Sequence, residues 1–453
     1  MFNKIAQLFK VKELRNKVLF VLMIFVLFRM MSNLLIPGIP KLEMQSIYQS
    51  LVSGTSAGNL NQGFQLLNVF SGGALDHFSI IMLGLGPYIT ATIILQLLGV
   101  IIPALGELQK EGGERGKKII EQYARFFTVI LAFFNAFGML LYFQNAGVGA
   151  GGKLFGEGIG PMSLPFLASV IVVTAGAMVV MWMGELISEK GIGDGVSLLI
   201  FAGILSRMPV GVGGVLKLAV GGAVSVVNII LFVILSIVII GCVVLINESK
   251  RNIAISYAKQ VRGNKVFGGV TTYLPLSVNP TGVIPIIFAL SFLVIPSSIS
   301  QMLTGIPAIQ ANAGLTAGLT NFSNFFDIRI NPLGHNLIYF AMIFLFTYFY
   351  AAVVFNPKEM ADNFQKTGGF IPGVRPGENT AKYLDFVLSR LLFIGALFLS
   401  FVALTPSLID SALNIKGLDF LIGGTSLLIV VSVILETVRK INSQLQMRDY
   451  DSI

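Results

Sequence analysis

Long apolar runs alternate with short polar stretches along this chain, and the runs are close to the length of a bilayer crossing. Hydrocarbon about 30 Å thick needs about 20 apolar residues per helical crossing, so runs of that size are the natural unit of the sequence. Ten appear, at residues 18–36, 78–102, 119–143, 164–187, 196–212, 223–246, 283–303, 337–355, 387–404 and 418–438. They are numbered here as spans 1 to 10. Span 1 follows a basic start, "MFNKIAQLFKVKELRNK", as in a signal peptide, but no small-residue cleavage site is present and nine further runs follow. It is expected to be a retained helix.

Composition sharpens the picture. Of 453 residues 55% are hydrophobic and 12% charged, with a mean hydropathy of +0.82. No single water-facing core could hide that much apolar surface. Lipid satisfies backbone polar groups only in helices or closed barrels, so the expected class is an all-α membrane protein with ten transmembrane helices. Five spans repeated twice give halves of opposite orientation, which predicts two inverted, pseudo-symmetric halves of five. The expected division is a cytoplasmic segment 1–17, an N-terminal half 18–212 and a C-terminal half 213–453.

The second span of each half carries helix-disrupting residues: Gly84, Gly86 and Pro87 in span 2, and Gly282, Pro285 and Pro296 in or beside span 7. Spans 2 and 7 are therefore where a working site is sought, although Gly and Pro are also common in ordinary membrane helices. Just before span 2, residues 63–76 ("GFQLLNVFSGGALD") are too short to cross and carry Asn68, Ser71 and the Gly72–Gly73 pair. Such a stretch is an interfacial turn or a re-entrant segment, which belongs inside protein or beside water.

Charge sets orientation. Lys and Arg total 31, and 24 of them fall on the side that holds both termini and the connections 2–3, 4–5, 6–7 and 8–9. Six lie opposite: Lys41, Lys153, Arg207, Lys217, Arg329 and Lys416. By the positive-inside rule both termini face the cytoplasm. The net charge of +9 is then explained first by topology and only afterwards by partners. Two cytoplasmic connections exceed plain turns. In residues 247–281, Ile253, Ile255 and Tyr257 alternate with polar neighbours, and Gly263–Asn264 turns the chain before Val266, Phe267, Val270 and Tyr273, which predicts a β-hairpin with Lys259, Arg262 and Lys265 near its tip. In residues 356–383, "FIPGVRPGENTAKYL" holds Arg375 between Pro–Gly pairs, on a rigid turn that cannot be helical.

The chemistry of an enzyme is missing from the sequence. "GGERGKK" has the wrong spacing for a P-loop, and "GVGAGG", though it satisfies G-x-G-x-x-G, follows a membrane helix with no strand leading into it. His77 and His335 are the only histidines and Cys242 the only cysteine, so neither a metal site nor an intramolecular disulfide is expected. No cofactor is expected either, and energy must come from a partner or a gradient. An ion-coupled transporter is the main rival, since it also uses inverted repeats and broken helices. Such proteins keep ionisable groups near the bilayer centre, whereas here Arg29 lies within span 1, Glu185 and Glu436 in last turns, and Asp76 before span 2. Arg29 reads as snorkelling or pairing near the outer surface.

Seven strings, in order, resemble the SecY family of protein-translocation channel subunits: "FSGGALDHFSI", "GPYITATIILQLL", "KEGGERGKKIIEQYAR", "MWMGELISEKGIGDGVSLLIFAGI", "YLPLSVNPTGVIPIIFA", "FNPKEMADNFQKTGGFIPGVRPGENTAKYL" and "GGTSLLIVVSVILE". The resemblance covers nearly the whole chain. It implies a channel in the plasma membrane, not an enzyme, that conducts unfolded preproteins and releases hydrophobic segments sideways between spans 2 and 7. It also implies SecE and SecG as companion subunits, and SecA or the ribosome as the drive.

Site residues follow from the same resemblance. The pore ring would be Leu85, Ile89, Val196, Ile200, Ile287 and Ile429, with Leu85 and Val196 standing where the family favours isoleucine. Spacing adds only that Leu85 and Ile89 share a helix face, as do Val196 and Ile200; taken alone, all six are ordinary core aliphatics. A plug over 64–75 would include Phe64, Leu67, Asn68, Phe70, Ser71, Gly72 and Gly73. Thr92, Gln96, Gly282 and Pro285 would belong to the lateral seam. Arg375, Lys259, Arg262 and Lys265 would dock SecA or the ribosome. A scaffold that docks ribosomes without conducting anything is the third alternative.

Overall fold

The computed structural model describes residues 11–37, 68, 71–75, 77–110, 113–149, 163–220, 226–257, 260–262, 265–267, 271–304, 309, 312–326, 331–413 and 424–451. Its helices are α1 (Lys12–Ser32), α2 (Gly86–Ile101), α3 (Pro103–Lys110), α4 (Gly113–Gly149), α5 (Leu164–Lys190), α6 (Gly195–Val220), α7 (Val226–Glu248), α8 (Ile284–Thr304), α9 (Ala313–Phe325), α10 (Pro332–Val354), α11 (Pro357–Lys366), α12 (Glu378–Leu413) and α13 (Gly424–Asp451). Each of the ten apolar runs contains one of them. Among the described residues, five helices are long and apolar enough to cross a membrane, and three shorter apolar ones begin at Gly86, Gly195 and Ile284.

The two spans expected to be broken are built differently. Residues 78–85 of span 2 are turns apart from an isolated bridge of Ser79 to Leu35, and α2 starts only at Gly86 with Pro87 in its first turn. In span 7, Gly282 adopts φ +64° and Pro285 occupies the second position of α8, so both residues start the helix. Proline is tolerated there because the first-turn N–H has no intrahelical partner. Pro296 alone lies inside α8.

Packing repeats along the chain. In the first part α5 touches α1, α4 and α6, and α2 touches α4; in the second α12 touches α7, α10 and α13, and α8 touches α10. The two sets meet through α2 with α8, α4 with α8, and α6 with α13. The main buried cluster draws on both sets, from Val21 on α1 to Val433 on α13.

The turns before α2 are pressed onto α5 backbone to backbone. A Cβ on Gly176 would stand 2.0 Å from the Ile80 carbonyl oxygen. Gly176→Ala is therefore expected to destabilise the fold by ~1–3 kcal/mol through overpacking, read as a lower melting midpoint in detergent. An unchanged midpoint would contradict this close approach.

On the polar side, β1 (Lys250–Tyr257) pairs antiparallel with β4 (Thr271–Ser277), and β2 (Gln260–Arg262) with β3 (Lys265–Phe267), as the alternation predicts. A further strand, β5 (Gly369–Phe370), adds to the free edge of β1 in the order β4–β1–β5. Through the pairs Ser256–Phe370 and Tyr257–Gly369 the two polar connections become one three-stranded sheet. Beneath it lies a small core of Ile253, Leu276, Ile371, Leu384, Val387, Leu388 and Leu391.

Candidate functional site: an aliphatic collar, its seam and its covering turn

Leu85, at the start of α2, and Ile89, one turn on, sit in the main cluster with Ile200 of α6, Ile287 of α8 and Ile429 of α13. All five are at most 5% exposed, and half-buried Val196 packs against them. Four helices from both packing sets thus contribute aliphatic side chains to one contiguous region.

On α2, which touches α8, Thr92 and Gln96 are half-buried. Thr92 donates its hydroxyl to the Tyr88 carbonyl on its own helix. The Gln96 Oε1 is buried without a hydrogen-bond partner among the described residues. Gly282 has open space where a Cβ would stand, so its φ, and not crowding, is what demands glycine.

A polar clasp ties the start of α8 to two neighbours. Asn279, just before the helix, donates to Asn247 Oδ1 at 2.9 Å and to the Gly282 carbonyl at 3.1 Å, while Thr281 donates to Asn279 Oδ1 at 3.2 Å. Asn247 donates in turn to Ser432 Oγ at 2.9 Å. Arg439 closes the arrangement from α13, donating to Glu248 at 3.0 Å and to the Asn247 carbonyl. Asn247, Asn279, Thr281 and Ser432 are buried while the Arg439–Glu248 pair is exposed, and a satisfied buried network of this kind fixes one packing. Sequence reasoning missed it, because its members are scattered over three segments and no spacing links them.

Of the covering segment, Asn68, Ser71, Gly72 and Gly73 are described, and all four are buried; Phe64, Leu67 and Phe70 lie outside the described residues. Gly73 N–H donates to the Asn68 carbonyl at 2.8 Å. The turns are stitched to the end of α1: Ser79 donates its hydroxyl to the Met31 carbonyl at 2.8 Å, and Ile80 N–H donates to that of Leu34 at 2.9 Å. Phe78 holds a left-handed φ of +45° with its ring edge-on to Phe143 at 4.9 Å.

Arg375 is exposed on the turn between β5 and α12, framed by Gly373 at φ +85° and Gly377 at φ +94°. Buried Thr380 donates its hydroxyl to the Arg375 carbonyl at 2.9 Å, which anchors the turn and leaves the guanidinium outside. Arg262 and Lys265 are register partners at the end of the β2–β3 pair, and Lys259 lies outside the described residues. Among the described residues no cluster of His, Cys, Asp or Glu could hold a metal ion.

Long apolar helices packed on a shared buried aliphatic cluster, joined to a three-stranded sheet, define a helical membrane protein. The SecY family model matches residues 79–438. The protein translocase subunit SecY of Streptomyces coelicolor is 41% identical over 456 residues, covering 100% of this chain and 99% of that one. A solved protein-conducting channel aligns with a TM-score of 0.63 at 19% identity, covering 94% of this chain and 91% of the other. Sec61 in the canine ribosome–channel complex aligns with a TM-score of 0.59 over the same shares, also at 19% identity. The chain belongs to the SecY family, and its fold is that of these channels.

Proposed function

We propose that this chain is the pore-forming subunit of a plasma-membrane protein translocase, conducting unfolded preproteins outward and releasing hydrophobic segments into lipid between α2 and α8. The observation that carries the reading is the collar. Leu85, Ile89, Ile200, Ile287 and Ile429, drawn from four helices, belong to one buried cluster against which Val196 packs, and α2 touches α8, which supports a shared aliphatic ring.

The physical task explains the design. An extended chain rises about 3.3 Å per residue, so ~30 Å of hydrocarbon would strip water from about nine residues of backbone. Each unpaired polar group there costs several kcal/mol. A water-lined passage removes that penalty, and a constriction of aliphatic side chains keeps it from leaking: it dewets when empty and yields around any sequence. A seam open to lipid lets each passing segment partition by its own transfer free energy.

Ten spans in two inverted halves, with both termini cytoplasmic, fit the same reading. The contacts α1–α5, α2–α4, α4–α5 and α5–α6 are repeated as α7–α12, α8–α10, α10–α12 and α12–α13. Residues 64–75 act as the plug. The sheet that carries Arg375, with Arg262 and Lys265 on its neighbouring hairpin, docks SecA or the ribosome, and SecE and SecG are the companion subunits. Fixed cations on preorganised turns suit RNA phosphate and acidic protein surfaces, and lose little conformational entropy on docking.

The test is reconstitution. Proteoliposomes holding the chain with SecE and SecA should render a signal-bearing preprotein protease-resistant only when ATP is supplied. Solute uptake without protein import would instead favour a gradient-driven transporter.

A further inference from the structure

Arg29 is a charged side chain inside an apolar run, and the collar does not use it. Its place in the structure gives it a task. The guanidinium donates from α1 to the Gly72 carbonyl at 3.3 Å, and Ser206 on α6 donates its hydroxyl to the same oxygen at 3.2 Å. Ser206 also reaches the Gly203 carbonyl on its own helix at 2.8 Å, so its hydroxyl is held near the shared acceptor whether or not it engages it. Two helices thus meet on one backbone oxygen of the covering turn.

The turn is seated as closely as backbone allows. Gly72 adopts φ +67°, and a Cβ there would stand 3.0 Å from Gly203 Cα and 3.1 Å from the Phe28 ring. One turn of α1 thus supplies both the ring against Gly72 and the cation on its carbonyl. Next to it, the stem of Arg207 lies 3.6 Å from where a Cβ on Gly73 would be. Among the described residues no carboxylate pairs with Arg29.

We propose that Arg29 and Ser206 are positioning residues that hold the covering turn shut through one shared acceptor, the Gly72 carbonyl. The inference rests on the reading of residues 64–75 as the plug, and adds how that plug is held. A hydrogen bond from a cation to a carbonyl is strong where water is excluded. When the turn moves away and water enters, the guanidinium and the freed carbonyl are both solvated, so release leaves no buried charge without a partner. A hydrocarbon contact could not lose its hold so completely on wetting. The latch is firm when dry and weak when wet.

The experiment measures ion flux through proteoliposomes holding the translocase, with no preprotein present. Arg29→Leu is expected to raise resting flux about tenfold, the effect of losing one charge-assisted hydrogen bond on the open population. Arg29→Lys, which keeps charge and one donor, is expected to recover most of the seal. ATP-driven import of a signal-bearing preprotein is expected to persist in both. Ser206→Ala, which removes only the second donor, is expected to raise flux about threefold and carries the test if Arg29→Leu fails to assemble. Deletion of residues 64–75 is the reference. If the deletion leaks while Arg29→Leu and Ser206→Ala stay tight, the latch is wrong and the plug stands. If Arg29→Leu only lowers the melting midpoint, the arginine merely serves the end of α1, and the latch is again wrong. If the deletion does not leak, the plug reading falls and the latch with it.

Discussion

Replacing Arg375 by glutamate is expected to reduce ATP-driven import of preprotein to background while the protein stays folded in the membrane. The side chain is exposed, and the group that anchors the turn is its backbone carbonyl, held by Thr380 at 2.9 Å. Reversing the charge therefore leaves the turn's own bonds intact. Docking loses a charge-assisted hydrogen bond worth about 1.5–3 kcal/mol and gains a like-charge repulsion, which together weaken partner binding at least ~100-fold. Two measurements check the prediction together: protease protection of a signal-bearing precursor, and the melting midpoint of the purified protein. Import at the normal rate would remove Arg375 from the docking surface, and a lowered midpoint would make its role structural.

Ile429→Asn should have the second large effect, on the seal. Ile429 is 1% exposed in the main cluster. An amide buried there without partners costs ~1–3 kcal/mol, which water can relieve by entering the collar. A wetted constriction conducts ions at rest and asks less of a signal sequence to part it. Single-channel conductance without precursor is expected to rise several-fold, and precursors with weak signals to be imported more readily. Unaltered conductance would take Ile429 out of the constriction.

Much of the fold is legible because bilayer thickness imposes a length on every apolar run. All ten runs contain a helix, and alternation in 247–281 gives the β1–β4 and β2–β3 pairs. The exact start of α2 and α8 is less visible, because the same glycine and proline either interrupt a helix or begin one, and only the preceding backbone decides. β5 has no pattern of its own: two residues, Gly369 and Phe370, become a strand because β1 offers an unpaired edge. At the site, spacing placed Leu85 with Ile89 and Val196 with Ile200, but the meeting of four helices came from family resemblance and from packing. The clasp of Asn247, Asn279 and Ser432 was invisible for another reason. Its Asn247–Ser432 bond joins residues 185 positions apart, and asparagine in a loop reads as a turn former.

The edge pairing of β5 onto β1 has a mechanical corollary. β4 shares that sheet, and only residues 278–283 separate its last residue from the first of α8. That linker has little slack, since Asn279 moors it to α7 and Asn279 and Thr281 are buried. On the proposed reading, a partner gripping the Arg375 turn would have in hand a short, stiff tiller whose far end is α8. Torque applied at that turn would arrive at α8 through the sheet and linker, without crossing the main buried cluster.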